Sequence, residues 1–213
     1  MREIAPGIHR WTARHPEWHP GDWGAEVACF AVRDSGRTLL VDPLVDGSWD
    51  ALDGVVHGDV ATLITIPYHV RSAAECAERY GGSIWGHRAC LKRLAKGDPF
   101  HELSPETTPA GVRPIVIGKP RRHEMPLLIE SCGALCFGDA LVGVPGSEGP
   151  LRIWFWSDYS DAWYRRRFLP SLEPLKELDV RAVLVTHGDS VVKDARAELR
   201  RGLERESWYH RSG

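Results

Sequence analysis

The feature that most constrains the fold of this chain is an apolar, β-branched run that leads directly into a polar loop. The run covers Val60–Ile66, Pro67 ends it, and the polar tetrad His69–Ser72 follows. The next segment, Ala73–Tyr80, has helical character and stops at two glycines. This order predicts a strand, a loop and a helix start, which places titratable side chains at a sheet edge beside free helix N–H groups. An ordinary connection with an exposed histidine would have the same pattern.

Two later apolar runs end in a similar way. Asp139 follows a short run and a glycine, and His187 directly follows another run. His123 stands two residues before a further run. Together with His69, these residues lie at predicted strand ends spread over more than half of the chain. Metal ligands gathered from the strand ends of one sheet system would have this distribution.

Four segments resemble, in order, those of one known family. Leu39–Pro43 is similar to a strand that ends in a structural aspartate, and Thr65 begins what would be a Thr-His-x-His-x-Asp-His loop. Phe137–Asp139 is similar to a strand-Gly-Asp segment that supplies a metal-bridging carboxylate, and Thr186–Gly188 to a His-Gly pair that supplies the last ligand. The family is the metallo-β-lactamase superfamily. The resemblance implies an α+β fold, a four-layer αββα sandwich, as one domain over residues 1–213.

The ligand loop departs from the family motif. An ungapped alignment from Thr65 puts no ordinary zinc ligand at the four ligand positions of the loop. Those positions hold Ile66, Tyr68, Val70 and Arg71. A register shifted by one makes His69 the second histidine and places Arg71 and Ser72 at the aspartate and the last histidine. Either register excludes the usual two-metal site, so the resemblance implies at most one ion. Its candidate ligands are His69, His123, Asp139 and His187.

The first functional hypothesis is a metal-dependent hydrolase with this reduced site. Zinc held by three or four N and O ligands keeps a position for water and activates it as a nucleophile. The resemblance then implies hydrolysis of an ester, thioester, lactone or related small-molecule bond, with Asp139 and His69 as catalytic residues. A loop rich in Pro, His and Trp resembles the family's hairpin over the active site; the alternative is that its Trp18 and Trp23 cap the end of the core. Trp18, His19 and Arg71 are therefore the expected substrate-binding residues.

Two other hypotheses remain open. Arg71 could pair with Asp139 and replace the charge of the missing metal, which would make the protein a metal-free relative that binds a small molecule. The chain could instead be a dimerising protein with a vestigial pocket. The aromatic residues between Trp154 and Tyr164, Trp156 and Tyr159 among them, would then cover an interface. Core packing and a pocket wall are the alternative interpretations of that cluster.

Composition narrows the class further. The 213 residues include 43% hydrophobic and 26% charged residues and carry a formal net charge of −2. These values are typical of a soluble globular protein and favour neither nucleic acid nor an anionic membrane as a partner. Five cysteines without framework spacing predict reduced thiols. With no apolar run long enough to span a bilayer and no signal-like segment at Met1–Pro6, the expected compartment is the cytoplasm.

The remaining patterns predict individual elements. A loop at residues 33–37 that contains a glycine predicts a hairpin between two strands. Residues 89–96 and 169–178 are expected to be helices. Ala195, Leu199 and Leu203 recur every four residues between charges, which indicates an amphipathic surface helix.

Overall fold

The computed structural model describes residues 1–19, 24–117, 123–146, 149–155 and 160–208. Its first sheet has seven strands arranged in sequence order. The first four strands pair antiparallel, and the fourth to seventh pair parallel. These strands are β1 (Arg2–Ala5), β2 (Ile8–Arg14), β3 (Glu26–Asp34), β4 (Arg37–Val41), β5 (Val60–Leu63), β6 (Ser83–Gly86) and β7 (Phe100–Glu102).

The predicted hairpin joins β3 and β4. Asp34 pairs with Arg37, which leaves Ser35 and Gly36 as the two loop residues. Both have positive φ, 50° and 88°, as a type I′ turn requires. That turn matches the right-handed twist of the flanking strands, so it fixes the register of the hairpin.

Helices cover the outer face of the first sheet. α1 (Asp50–Asp53) connects β4 to β5, and α2 (Ala73–Tyr80) connects β5 to β6. The bounds of α2 are those predicted from the sequence. Its Cys76 packs with Leu40 of β4 in one buried cluster. Leu40 faces these helices, while its neighbours Leu39 and Val41 face the other side of the sheet, since successive residues of a strand point to opposite faces.

The second sheet has four strands in the order β13-β10-β9-β8. β10 pairs antiparallel with β9 and parallel with β13. A separate two-stranded sheet, β11-β12, follows β10 in the chain. The strands are β8 (Val112–Pro114), β9 (Leu127–Ile129), β10 (Ala134–Phe137), β11 (Leu141–Gly143), β12 (Leu151–Ile153) and β13 (Ala182–Val185).

The two large sheets pack face to face around a shared core. Phe30 and Leu63 of the first sheet lie in one cluster with Cys136 and Leu184 of the second. Phe137, the neighbour of Cys136, faces the other way, into a cluster formed with the C-terminal helices. Those helices are α3 (Asp161–Trp163), α4 (Leu169–Leu172) and α5 (Ala195–Glu204). The layers are therefore helix, sheet, sheet and helix, which confirms the predicted α+β sandwich.

Two predicted helices differ from the observed ones. The expected helix at residues 89–96 is a 3₁₀ turn, Arg88–Lys92. The helix expected at residues 169–178 is α-helical only as far as Leu172 and continues as a 3₁₀ segment, Glu173–Glu177. Pro174 lies at the change, and a proline has no N–H to continue the α-helical pattern.

The predicted amphipathic helix and the predicted free thiols are both found in the structure. The amphipathic helix is α5, and Ala195, Leu199 and Leu203 are its buried apolar residues. All five cysteines are free of disulfide bonds, as expected. Among the described helices, none combines the length and the apolar character that crossing a bilayer requires.

Candidate metal centre

The candidate site lies where strands of both large sheets end. Asp42 directly follows β4, and His69 lies in the 3₁₀ turn after β5. Asp139 and His187 each come two residues after a strand, β10 and β13. Parallel neighbours bring their carboxyl ends to one edge of a sheet, and β4/β5 and β10/β13 are both parallel pairs. The sandwich therefore brings these sequence-distant residues to one place.

Three of the four predicted metal ligands converge there. His69 Nε2 lies 3.3 Å, and His187 Nε2 3.5 Å, from the same oxygen, Asp139 Oδ1. One candidate ligand atom from each residue lies within 4.8 Å of the other two. The side chains of His69 and Asp139 are 5% and 7% exposed, and that of His187 is 14% exposed. Solvent access is therefore greatest on the His187 side of the cluster.

Asp42 holds His69 in place from behind. Its Oδ2 lies 2.9 Å from His69 Nδ1 and accepts a hydrogen bond from Thr65 Oγ1 at 2.5 Å. Its Oδ1 accepts the backbone N–H of Thr65 at 2.9 Å. With Nδ1 donating to Asp42, His69 presents Nε2 to the cluster, which is the arrangement of a metal-ligating histidine and its supporting carboxylate. The expected structural role of Asp42 is thus met.

The charges of the cluster shift its pKa values in opposite directions. Burial would raise the pKa of Asp139, but His69 and His187 outweigh it and hold that pKa well below its usual value. Burial and the charge of Arg71 oppose protonation of His69, yet Asp139 and Asp42 raise its pKa. The pKa of His187 is lowered, mainly by burial. The shifts of Asp139 and His187 favour the carboxylate and the neutral imidazole, which are the forms that ligate metals, whereas the shift of His69 favours its protonated form.

Arg71 lies beside this cluster but forms no ion pair with the described residues in it. Its Nη1 donates to the carbonyl oxygen of Asp42 at 3.0 Å and lies 3.9 Å from Cys29 Sγ. Its Nε and Nη2 are buried and have no hydrogen-bond partner in the described part of the chain. No ion pair joins Arg71 to Asp139 among the described residues, so the pair expected in the metal-free hypothesis is not formed. Arg71 instead supplies a fixed positive charge next to His69.

His123 does not join the other three candidate ligands. It is exposed, and its ring stacks on that of His87 with the centroids 4.2 Å apart and an interplanar angle of 6°. Both rings line an apolar cavity of about 430 Å³ that also contains Met125. His123 has a φ of 60°, in the left-handed region that side chains seldom adopt. The described cluster therefore contains His69, Asp139 and His187 only.

The structure explains why the other positions of the degenerate loop hold no ligands. Ile66 and Val70 are buried in the core. Tyr68 is 47% exposed, and the guanidinium of Arg93 lies 4.9 Å from its ring centroid. The only loop histidine, His69, enters the site, as the register shifted by one predicts.

The expected substrate-binding loop is described as far as residue 19. Trp18 is half-buried with the guanidinium of Arg14 5.5 Å from its ring centroid, while His19 is exposed. His15 was not predicted, although its charge interacts with those of Arg71, His69 and His187. Its signal was present in the sequence, since it lies in the same Pro- and His-rich loop where β2 ends.

The aromatic cluster divides into a core part and a part near the site. Tyr164 and Phe168 are buried in the outer core, as the core interpretation predicts. Trp154 meets His187 edge to face, with the ring centroids 5.3 Å apart. Trp156 and Tyr159 lie outside the described residues.

The donor set fits a single divalent ion. Ligands about 2.0–2.1 Å from a tetrahedral ion are separated by roughly 3.3–3.4 Å. Two of the three separations, 3.3 and 3.5 Å from Asp139 Oδ1 to the two imidazole nitrogens, match this value, and the three ligand atoms all lie within 4.8 Å of one another. Two imidazoles and a carboxylate are also a ligand combination found at catalytic zinc sites, where a fourth position stays open.

The arrangement of the sheets and helices was compared with those of known proteins. Sequence comparison finds no matching family model and no matching protein with a curated description. Comparison with solved structures, however, shows that the chain has the metallo-β-lactamase fold.

Three of the similar structures illustrate the range of that fold. A metallo-β-lactamase from Erythrobacter litoralis is 15% identical, with a TM-score of 0.65 over 95% of each chain. An archaeal metallo-β-lactamase superfamily protein from Sulfolobus tokodaii is 17% identical, with a TM-score of 0.64 over 93% of this chain and 85% of that one. A chemotaxis sensor with a peroxy-diiron species is 13% identical, with a TM-score of 0.62 over 85% and 87%.

Proposed function

We propose that this protein is a hydrolase that holds one divalent metal ion and cleaves an ester, thioester, lactone or related bond of a small molecule. The observation that carries the proposal is the spacing of three ligand atoms, each within 4.8 Å of the other two. His69, Asp139 and His187 provide that spacing in a fold whose relatives include metallo-β-lactamases. Zinc is the ion that best suits two imidazoles and one carboxylate.

Each residue has a distinct part in this site. His69, Asp139 and His187 would hold the ion, and a bound divalent cation supplies Lewis acidity that makes water a nucleophile near neutral pH. Asp42 fixes the ring orientation of His69 through its 2.9 Å contact with Nδ1. Trp154 packs against His187 and limits its movement. These supports preorganise the donor atoms, which is what a catalytic site requires.

Arg71 accounts for the restriction to one ion. A guanidinium has no lone pair for a metal and stays protonated at all accessible pH values. Because it is held beside Asp42 and His69, it adds a positive charge where the family motif would supply further ligands. A second cation in the same place would be repelled. The same charge can attract an anionic substrate group toward the site, in line with the expected substrate-binding role of Arg71.

The experiment that tests the proposal is elemental analysis of protein purified without chelators. We expect about one divalent ion per chain, and His69→Ala and His187→Ala should each lose it, because removing one of three protein ligands abolishes the tetrahedral site. His123→Ala is the matched control, since His123 lies against His87 and should keep the ion. Circular dichroism should confirm that all three variants fold.

Hydrolysis can be tested in parallel with chromogenic esters, thioesters and lactones. A chelator should abolish turnover and added metal should restore it. Two ions per chain, or retention of the ion in His187→Ala, would contradict the assigned ligand set. A folded wild type that takes up no ion even when metal is added would contradict the proposed function itself and favour the metal-free alternative.

A further inference from the structure

Glu124 occupies an unusual position behind the metal centre. Glu124 is only 2% exposed to solvent. Its Oε1 accepts two backbone hydrogen bonds at 3.0 Å, one from the N–H of Gly138 and one from the N–H of Ala140. These two N–H groups flank Asp139 in the chain. A single carboxylate oxygen therefore holds the turn that carries the proposed metal ligand.

The same turn is also packed closely against a second segment. A Cβ atom at Gly138 would lie 2.8 Å from Thr65 Oγ1 and 2.9 Å from Ile66 Cγ2, so the backbone there is packed directly against the loop that leads to His69. The turn cannot move toward Thr65 for lack of space. The two hydrogen bonds to Glu124 restrain the same backbone. The backbone on both sides of Asp139 is thus held in place, which positions its carboxylate.

The anchoring of Glu124 also relates to the place of His123. Glu124 lies inside, under the turn, whereas His123 lies outside, stacked on His87. The N–H of Met125 donates to the carbonyl oxygen of Thr65 at 2.8 Å, which ties this segment to the same loop. Because Glu124 and Met125 are both held in this way, the side chain that the segment directs toward the Asp139 turn is that of Glu124 and not that of His123.

We propose that Glu124 is a positioning residue of the metal centre, which sets Asp139 Oδ1 at the point that both imidazoles reach. The inference rests on the proposed function because it treats Asp139 as a metal ligand. It goes beyond that function because it assigns a role to a residue that contacts neither the ion nor the substrate. Outer residues that orient ligands typically change metal affinity by about 10–100-fold when they are replaced.

The test compares Glu124→Ala with Glu124→Gln and a matched control. The alanine variant removes the acceptor and should weaken zinc affinity by about 10–100-fold, measured by competition with a chromophoric chelator. The glutamine variant keeps an acceptor oxygen and should stay within about threefold of the wild type. Glu198 provides the control because it is a second buried glutamate, 3% exposed, that accepts a backbone N–H, from Leu151 at 3.2 Å. Glu198→Ala should lose stability and keep its zinc affinity.

A second readout keeps this test separate from the question of metal binding. In metal-free protein at fixed pH, the imidazole NMR signals of His69 and His187 report the place of Asp139. Glu124→Ala should shift these signals toward their values in Asp139→Asn, and Glu124→Gln should not. If the wild type takes up no zinc, the proposed function fails while the NMR comparison still tests Glu124. Unchanged signals in Glu124→Ala, or an equal loss of affinity in Glu198→Ala, would overturn the positioning role.

Discussion

At the scale of single residues, the charge of Arg71 is the feature that most separates this site from a two-metal site. Its guanidinium is fixed by the carbonyl oxygen of Asp42, and it opposes any further positive charge near His69. Replacing Arg71 by Gln should therefore tighten the binding of a divalent ion by about tenfold or more, because a nearby like charge is removed. Titration against a competing chelator measures this change. Weaker binding in the variant would show that Arg71 supports the ion and does not limit it.

Glu198 gives a residue-scale prediction for pH dependence. Burial would raise the pKa of its carboxyl group, but hydrogen bonds from Arg205, the Leu151 N–H and Arg201 outweigh burial and lower that pKa below its usual value of 4.5. Because this pKa is lower in the folded state, the ionised carboxylate stabilises the fold at pH values above the pKa of the unfolded state. That stability is lost as pH falls through the folded pKa.

The glutamine variant isolates this contribution. Glu198→Gln should lower the free energy of unfolding by about 2 kcal/mol at neutral pH. The difference between the two proteins should shrink as pH falls below about 4.5. Urea denaturation at a series of pH values measures it. A difference that stays constant between neutral and acid pH would contradict the assigned cause.

Single residues were also where prediction from sequence was most uneven. The convergence of His69, Asp139 and His187 could be predicted because each follows an apolar run, and strand ends gather at the edges of a sandwich. The metal-ligand role of His123 was not supported, since a sequence does not show which of two adjacent residues, His123 or Glu124, faces inward. His15 was missed because its nearness to Arg71, His69 and His187 depends on tertiary contacts that the sequence does not show.

At the scale of elements, the loop after β13 depends on a glycine with no room for a side chain. Gly188 has a φ of 78°, and a Cβ atom there would lie 1.7 Å from the carbonyl oxygen of Gly143. Gly188→Ala should destabilise the protein by more than about 3 kcal/mol, because both strain and overlap must be relieved by moving the backbone. Since His187 is the preceding residue, metal affinity should fall as well.

Gly36→Ala is the matched control for that substitution. Gly36 also has a positive φ, 88°, but a Cβ atom there would meet nothing within 4 Å. The Gly36→Ala variant should lose only about 1–2 kcal/mol of its free energy of unfolding to backbone strain, and it should keep its metal affinity. Thermal unfolding and metal titration of both variants measure the contrast. Equal losses in the two variants would show that the close approach to Gly143 has no effect.

Elements whose sequence pattern agrees with their packing were predicted well. Elements that a proline or a side-chain cap interrupts were not. α2 matches its predicted bounds because its amphipathic pattern agrees with tertiary packing. The helix expected over residues 169–178 is divided because Pro174 interrupts the α-helical hydrogen bonds. The helix expected at residues 89–96 is reduced to the turn Arg88–Lys92, in which the side chain of His87 accepts the N–H of Ala89 at 3.1 Å. Such caps depend on side-chain geometry that a sequence pattern does not contain.

At the scale of the whole molecule, the five cysteines report on the integrity of the sandwich. Cys29, Cys76, Cys90 and Cys136 are buried, and burial raises the pKa of each thiol. Cys132 is partly exposed. Because the thiolate is the reactive form, a thiol reagent should modify Cys132 first in the native protein and reach all five cysteines only after denaturation. Fewer than five reactive thiols in non-reducing denaturant would contradict the free cysteines of the structure.

The distance along the chain between His69 and His187 has a consequence for the maturation of the protein. More than half of the sequence separates them, and Asp139 lies between. While the chain is being synthesised, no growing stretch contains all three ligands until the ribosome has made β13. Loading of the proposed ion therefore follows the pairing of the last parallel strand, β13, with β10. Any cellular factor that delivers this ion would meet the assembled sandwich and not its separate strands.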